Sequence, residues 1–273
     1  MLEMTSYDGE TSNGPSDSIW RNIPKSVLFG REGFHLFEDF KTFRGAVTSN
    51  VGSYITDTGG FLSYEDNGNA IAQLATEVGG VINITTDATD NDESWLQPGS
   101  ATSVLGKITS LDSERFAFEV RMRPTQIVTQ NIFLGCTEEG TAVADTIGDT
   151  GVVLATKDFI GFSVVEGASS TMTFMYQKAS QTKQVIIATL KTLVAATWYK
   201  FGYLYTSAGP DAKRIRVYVD GVEQATWVTA TNLAAATFPS GEELNVLLGL
   251  KNGAGAATGM DIDWVRCAGT AGR

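Results

Sequence analysis

The feature that most constrains the fold is a strict alternation of apolar and polar side chains. Over residues 116–123 (FAFEVRMR), large apolar side chains occupy every second position, and glutamate and arginine fill the later positions between them. Residues 213–221 (KRIRVYVDG) alternate in the same way and end in Asp220-Gly221, a pair favoured in the tight turn of a β-hairpin. Because successive side chains of a strand point to opposite faces of a sheet, both segments are predicted to be strands with one buried face.

Segments rich in β-branched and aromatic residues recur along nearly the whole chain, separated by Gly, Asn, Asp or Ser. The further strand candidates are residues 81–86, 131–136, 159–165, 172–178, 184–190, 198–206, 222–228, 244–250 and 260–266. One helix-like stretch, residues 69–77, is short. Many short strands with little helix predict an all-β fold, either an antiparallel sandwich or a barrel.

The length of the chain suits one large domain with a tail. It has 273 residues, whereas a single sandwich or barrel commonly takes roughly 200–250. Turn-forming residues without a periodic pattern fill positions 8–17. Residues 1–30 are therefore predicted to be an N-terminal arm, and residues 31–273 the sandwich domain.

The end of this arm carries an apolar group that a solvated leader does not need: Trp20, Ile23, Val27, Leu28 and Phe29. Two interpretations are open. The segment is either a disordered leader followed by a first edge element, or an extended arm that docks onto a neighbouring subunit. We predict the second, with Trp20, Ile23, Val27 and Phe29 as partner-binding residues in a trimer or dimer.

The charge balance argues against two classes of partner. The chain carries 31 acidic and 20 basic residues, a net charge of −11, which repels the phosphates of nucleic acids and of anionic membranes. No apolar run reaches the roughly 18 residues that a membrane span needs. The first residues lack the basic start and apolar core of a secretory signal, so we expect assembly in a cytoplasm.

Cysteine and histidine usage gives little support to a cofactor, and none is expected. Cys136 and Cys267 are far apart and form no Cys-x-x-Cys motif. We predict two buried free thiols rather than a disulfide. The single histidine, His35, lies in a mixed apolar segment without a surrounding ligand cluster, so zinc or a catalytic triad is poorly supported.

A calcium site is a weak candidate at the acidic cluster Asp87, Asp90, Asp92 and Glu93. Carboxylate oxygens at this density are the ligands that calcium prefers. The cluster lacks the spacing of an EF-hand loop, with no glycine at the turn position and no terminal glutamate in register. The alternative is a solvated acidic turn after a strand.

The C-terminal half resembles the concanavalin-A-like lectin/glucanase superfamily, including laminin-G-type modules. The resemblance rests on TWYKFGYLY (197–205), KRIRVYVDGVE (213–223) and GMDIDWVR (259–266), which occur in the superfamily's order. It extends over about residues 116–267. It implies a jelly-roll β-sandwich, and it specifies a fold rather than a function.

The chain also resembles structural proteins of tailed bacteriophages with this sandwich. The stretches that carry this resemblance are 87–97, 157–162, 238–244 and 249–253. It implies a structural virion protein, most simply a capsid decoration or cement protein that stabilises the head by binding its surface. The implied partners are the major capsid protein or other virion proteins, and further copies of the chain. The alternative is a carbohydrate-binding module on a phage tail or fibre.

The resemblance also allows a test for catalysis. The related β-glucanases carry a Glu-x-Asp-x-x-Glu strand, and the corresponding positions here are Asp261, Asp263 and Arg266. Arginine at the last position removes the carboxyl that would protonate the leaving oxygen. We therefore predict that the chain is not an enzyme, and a degenerate glycoside hydrolase is the third alternative after the two binding roles.

Aromatic residues are the remaining candidates for sugar binding. Tyr199, Phe201, Tyr203 and Tyr205 share one strand face, which is more typical of a core than of a sugar platform. Trp95 is a better candidate for an exposed aromatic. The extended arm favours the decoration protein over the carbohydrate-binding module.

Overall fold

The structure, a computed structural model, describes residues 13–29, 32–41, 43, 60–66, 68–77, 79–109, 114–127, 129–148, 156–167 and 170–270. Strands dominate these residues. In chain order they are β1 (Phe34–Glu38), β2 (Phe61–Glu65), β3 (Ala70–Gln73), β4 (Ile82–Thr85), β5 (Glu93–Pro98), β6 (Gly106–Lys107), β7 (Arg115–Pro124), β8 (Gln130–Thr137), β9 (Phe159–Val164), β10 (Thr171–Gln177), β11 (Gln184–Thr192), β12 (Tyr199–Thr206), β13 (Ile215–Val219), β14 (Val222–Glu223), β15 (Glu243–Asn252) and β16 (Gly259–Gly269). The helices are α1 (Asp17–Trp20), α2 (Lys25–Leu28) and α3 (Ala230–Ala234), with a 3₁₀ turn at Asp211–Lys213. In the described residues no helix exceeds five residues, far short of a bilayer span.

The strands form two antiparallel sheets. Sheet A has the order β14-β13-β12-β7-β16-β4-β3, with β1 also paired to β16. Sheet B has the order β11-β10-β9-β8-β15-β5-β2, with β6 also paired to β15. The predicted all-β sandwich is confirmed. The helix-like stretch at residues 69–77 instead contains β3, which pairs with β4.

The predicted hairpin is present between β13 and β14. Asp220 and Gly221 have φ values of 51° and 78°. A type I′ turn requires positive φ at both central positions, and glycine adopts it without a steric penalty.

The inward faces of the two sheets pack into one aromatic core. Tyr203 lies in its centre, with its ring centroid 5.5 Å from that of Phe118 and 6.2 Å from that of Phe162. The aromatic row of β12 is buried in this core rather than offered to a sugar. Cys136 and Cys267 lie in the same core as free, fully buried thiols.

Residues 13–29 of the predicted arm pack on the outer face of sheet A of their own chain. Ile19, Trp20, Ile23 and Val27 are at most 5% exposed, and they form a cluster with side chains of β7, β12, β13 and β16. Trp20 Nε1 donates a 2.6 Å hydrogen bond to a carboxylate of β7. The prediction that Trp20, Ile23 and Val27 bind a partner is therefore corrected, because their apolar surface is already covered within the chain.

Phe29, the fourth predicted partner-binding residue, differs from the other three. It follows α2 and is 66% exposed. Its role in binding a partner stays a prediction.

The outer face of sheet B is also covered, by residues 138–148. Ala142 and Ile147 of this segment are fully buried among Trp95, Phe133 and Leu247, which project outward from sheet B. The sandwich therefore has a satellite cluster on each outer face besides its central core.

Candidate functional site

A groove of about 430 Å³ lies on the outer face of sheet A, beside residues 13–15 of the arm. It combines aromatic and charged side chains. Its lining includes Asn13, Phe37, Asp39, Lys41, Arg121, Trp198, Asp263 and Trp264.

Trp198 stands directly before β12 and is half-buried. The guanidinium carbon of Arg121 lies 4.2 Å from its ring centroid, and that of Arg123 lies 4.6 Å away. Both arginines reach it because they occupy alternate positions of β7, which point away from the core. Two cation–π contacts thus fix the orientation of the Trp198 ring.

Carboxylates hold the two arginines in place. Arg123 pairs with Asp261 at 2.6 Å and with Glu77 at 3.0 Å, and Arg121 pairs with Asp263. The side chains of these two aspartates are at most 16% exposed. The aspartates examined as a catalytic remnant are therefore ion-pair partners on the outer face of sheet A.

A β-bulge explains how Asp263 and Trp264 both reach the groove. The register between β16 and β7 shifts between Ile262 and Trp264, so that Trp264 pairs with Arg121. Adjacent residues of a regular strand would point to opposite faces, whereas a bulge brings both to one side.

The arm closes one end of the groove. Trp264 Nε1 donates to Asn13 O at 2.7 Å, and Arg121 donates to Asn13 Oδ1 at 3.1 Å. Phe37 of β1 lies 6.5 Å from Trp264 between ring centroids and is 46% exposed. Aromatic surface beside fixed polar groups is the usual make-up of a small-ligand site.

A larger cavity of about 540 Å³ beside α3 has a different lining. Its walls are mainly alanine, leucine and buried aromatic side chains. Its cations Lys178 and Arg214 are ion-paired to Glu242 at 2.7 Å and to Asp211 at 2.6 Å. It offers fewer oriented groups to a polar ligand than the Trp198 groove.

The structure does not bring the four calcium candidates together. Asp87 accepts a hydrogen bond from Thr89 N, Asp90 is exposed in the turn, and Glu93 is buried under residues 138–148. Burial, together with a hydrogen bond that the Asp92 carboxyl donates to the neighbouring Asp87, raises the pKa of Asp92 to about 7. Within the described ranges, no three Asp, Glu, His or Cys side chains are grouped as metal ligands.

Two other residues singled out from the sequence, Trp95 and His35, are also seen in the structure. Trp95 is fully buried on the outer face of sheet B, so it is not the exposed aromatic that we predicted. His35 Nε2 accepts a 3.1 Å hydrogen bond from Arg266 Nε. Burial and the positive charge of Arg266 lower the pKa of His35.

The sequence-based search missed Trp198 and the arginine pair. A signal was present, because Arg121 and Arg123 lie on the polar side of the most regular strand. Their partner Trp198 is distant in the sequence, so nothing local connected them.

Comparisons with known proteins identify the fold. No protein-family model matches the chain, and no curated protein matches it. A protein of unknown function from Shewanella oneidensis MR-1 is similar in structure at 16% identity, with a TM-score of 0.54 and coverage of 87% of each chain. A β-glucanase from Bacillus licheniformis has 16% identity, a TM-score of 0.49 and coverage of 86% of this chain and 98% of that chain. The carbohydrate recognition domain of Emp47p has 14% identity, a TM-score of 0.48 and coverage of 82% of this chain and 96% of that chain.

These similarities correct one prediction and confirm another. Several solved structures of this fold are glycoside hydrolases or lyases, which contradicts the prediction that the chain is not an enzyme. The replacement of the two motif glutamates by Asp261 and Arg266 was too narrow a basis for it. At such low identity the comparisons establish the fold alone: the chain is a concanavalin-like antiparallel β-sandwich, an architecture shared with glucanases and lectins.

Proposed function

We propose that this protein binds carbohydrate in the groove around Trp198. The observation that carries the proposal is the half-buried Trp198 ring, held in place by two guanidinium groups beside carboxylates and a second aromatic side chain. The apolar face of a sugar ring packs on an aromatic ring, and its hydroxyls bond to planar charged groups around the rim.

The charges of the groove indicate the class of saccharide. Arg121 faces Asp263, and Lys41 faces Asp39 at 2.6 Å. Because acidic and basic groups are paired, the groove presents no strong field of either sign. A neutral saccharide fits it better than a polyanionic one.

We place this binding function on a bacteriophage particle, as a module of a tail or fibre. The support is the sequence resemblance to phage structural proteins. The arm had favoured a decoration protein over such a module, but three of the four residues predicted to bind a partner pack on their own sheet. That argument no longer separates the two roles.

The capsid decoration or cement role is the second candidate, and Phe29 favours it. A phenylalanine that is 66% exposed beside the buried apolar residues of the arm is suited to contact a capsid protein or a second copy of the chain. Co-sedimentation with assembled particles tests this role. A Phe29→Ser variant should sediment with particles less than the wild type if the role is correct, and equally if it is wrong.

A neutral-glycan array, followed by calorimetric titration of the saccharides that bind, tests the groove. Trp198→Ala should weaken binding by at least about tenfold, as expected for a central aromatic contact. Trp227→Ala is the matched control, since Trp227 is another half-buried tryptophan under a cation, with Lys213 Nζ 4.0 Å from its ring centroid. Equal affinities of the two variants and the wild type, all with native melting temperatures, would rule out the groove as the binding site.

A further inference from the structure

Among the described residues, several buried polar atoms on the outer face of sheet B have no hydrogen-bond partner, and three of them surround Trp95: Glu93 Oε2, Gln97 Oε1 and Asn131 Nδ2. Their residues are at most 2% exposed. Buried polar atoms in folded proteins are almost always paired, because an unpaired one loses its bonds to water without compensation. Three of them on one face need an explanation.

The strand register places these atoms around Trp95. Glu93, Trp95 and Gln97 occupy alternate positions of β5 and therefore share one face. Lys251 of β15 pairs with Glu93 on one side and with Asn131 of β8 on the other. From strand spacing, the three groups bound a patch of about 10 by 13 Å, with Trp95 inside it.

A glycine allows the Trp95 ring to lie against the sheet. Gly249 pairs directly with Trp95, and a β-carbon at this position would lie 2.4 Å from Trp95 Cε3. The patch is therefore a flat aromatic floor with polar groups at its edge.

Residues 138–148 cover this floor with few polar contacts to it. Thr146 N donates to Glu93 Oε1 at 3.2 Å, and Lys251 Nζ donates to the carbonyl oxygen of Ile147 at 2.9 Å. The buried side chains of Ala142 and Ile147 supply the apolar contacts. The cover itself leaves the three polar atoms unpaired.

We propose that this face is a second binding site, for a short neutral polyhydroxy compound such as a saccharide, and that residues 138–148 cover it when it is empty. The amide oxygen of Gln97 accepts and the amide nitrogen of Asn131 donates, which fits a ligand whose hydroxyls donate at one end and accept at the other. The charge of Lys251 is balanced by Asp145, whose Oδ1 lies 4.0 Å from Lys251 Nζ, so the floor stays close to neutral. The site lies on the opposite sheet from the Trp198 groove and does not depend on it.

The test uses the full chain carrying Trp198→Ala, so that the groove does not contribute. Di- to tetrasaccharides of glucose and galactose are titrated while the indole N–H resonance of Trp95 is followed by NMR. Ile147→Ala weakens the cover and should raise the apparent affinity by about tenfold, because less free energy is spent on opening. Asn131→Asp and Glu93→Gln keep the oxygens that already accept hydrogen bonds and change only the unpaired atom of each side chain. Each substitution should lower the apparent affinity for saccharide by about tenfold or more.

The outcomes of this test decide whether the second site exists, independently of binding in the Trp198 groove. If the Trp95 resonance does not move at millimolar saccharide in the Ile147→Ala protein, the proposal is overturned. The three unpaired atoms would then only destabilise the fold and would bind no ligand. Movement that is unchanged by Asn131→Asp would overturn it as well. If Ile147→Ala melts early, Ile147→Val serves as the milder variant. Loss of binding only when Trp198 is replaced would support the groove and contradict the second site.

Discussion

Raising the pH from about 5 to about 8 should destabilise this protein through two buried glutamates, Glu65 and Glu93. They are 1% and 2% exposed, and burial raises the pKa of each to about 7. In the unfolded chain both carboxyls ionise near the ordinary pKa of 4.5. Between these values the folded state binds more protons than the unfolded state, so the free energy of unfolding falls as the pH rises.

The expected effect is large for a single side chain. A pKa raised from 4.5 to about 7 corresponds to roughly 3 kcal/mol per carboxyl, against about 5–15 kcal/mol for the stability of a whole domain. Glu93→Gln removes the ionisation and keeps an oxygen that can accept from Thr146 N. At about pH 8 this variant should be more stable than the wild type by up to about 3 kcal/mol, and at about pH 5 the difference should fall below about 1 kcal/mol.

Urea unfolding at about pH 5, 6.5 and 8 measures this effect. Glu243→Gln is the control, because Glu243 is exposed at the start of β15. His35 acts in the opposite direction below its ordinary pKa of 6.5, since its pKa is lowered by burial and by Arg266. The decisive interval is therefore about pH 6.5 to 8. A wild-type stability that rises across it, or a Glu93→Gln variant without any gain at about pH 8, would refute the reasoning.

Three further predictions concern the fold. Cys136 and Cys267 should both titrate with a thiol reagent in denaturant without reductant, and should be unreactive in the native protein because both are fully buried; two unreactive sulfurs in denaturant would indicate a disulfide. Trp20→Ala should lower the free energy of urea unfolding by about 3–5 kcal/mol, because it removes a buried anchor of the arm; a change below about 1 kcal/mol would show that the arm does not stabilise the sandwich. Gly249→Ala should lower it by about 1–3 kcal/mol, since a β-carbon there would lie 2.1 Å from the carbonyl oxygen of Ser94; an unchanged denaturation midpoint would contradict this.

The parts of the fold that follow from local patterns could be predicted. Alternation at residues 116–123 predicted β7, because period-two spacing reports a buried face directly. Asp220-Gly221 predicted its hairpin, because both residues tolerate positive φ. The surface on which the arm packs could not be predicted from local patterns. An apolar residue such as Trp20 shows that it must be covered, but not whether its own sheet or a partner covers it.

The sites depend on residues that are distant in the sequence. Trp198 meets Arg121 only because β12 pairs with β7. Glu93 looked like part of an acidic turn, yet it begins β5 and is covered by a segment some fifty residues further along. The alternation of side chains in a single sequence predicts where strands lie. It does not predict which strands pair, or which loop covers which face of a sheet.

One measurement tests the central claim directly. The five tryptophans of the chain, Trp20, Trp95, Trp198, Trp227 and Trp264, each give an indole N–H resonance, which single Trp→Phe variants assign. Titration of the wild-type protein with the saccharides that bind on the array should move the resonances of Trp198 and Trp264, which line the groove, and leave that of Trp227 in place. If Trp198 and Trp264 stay in place while the protein is saturated with saccharide, carbohydrate binding in this groove is contradicted.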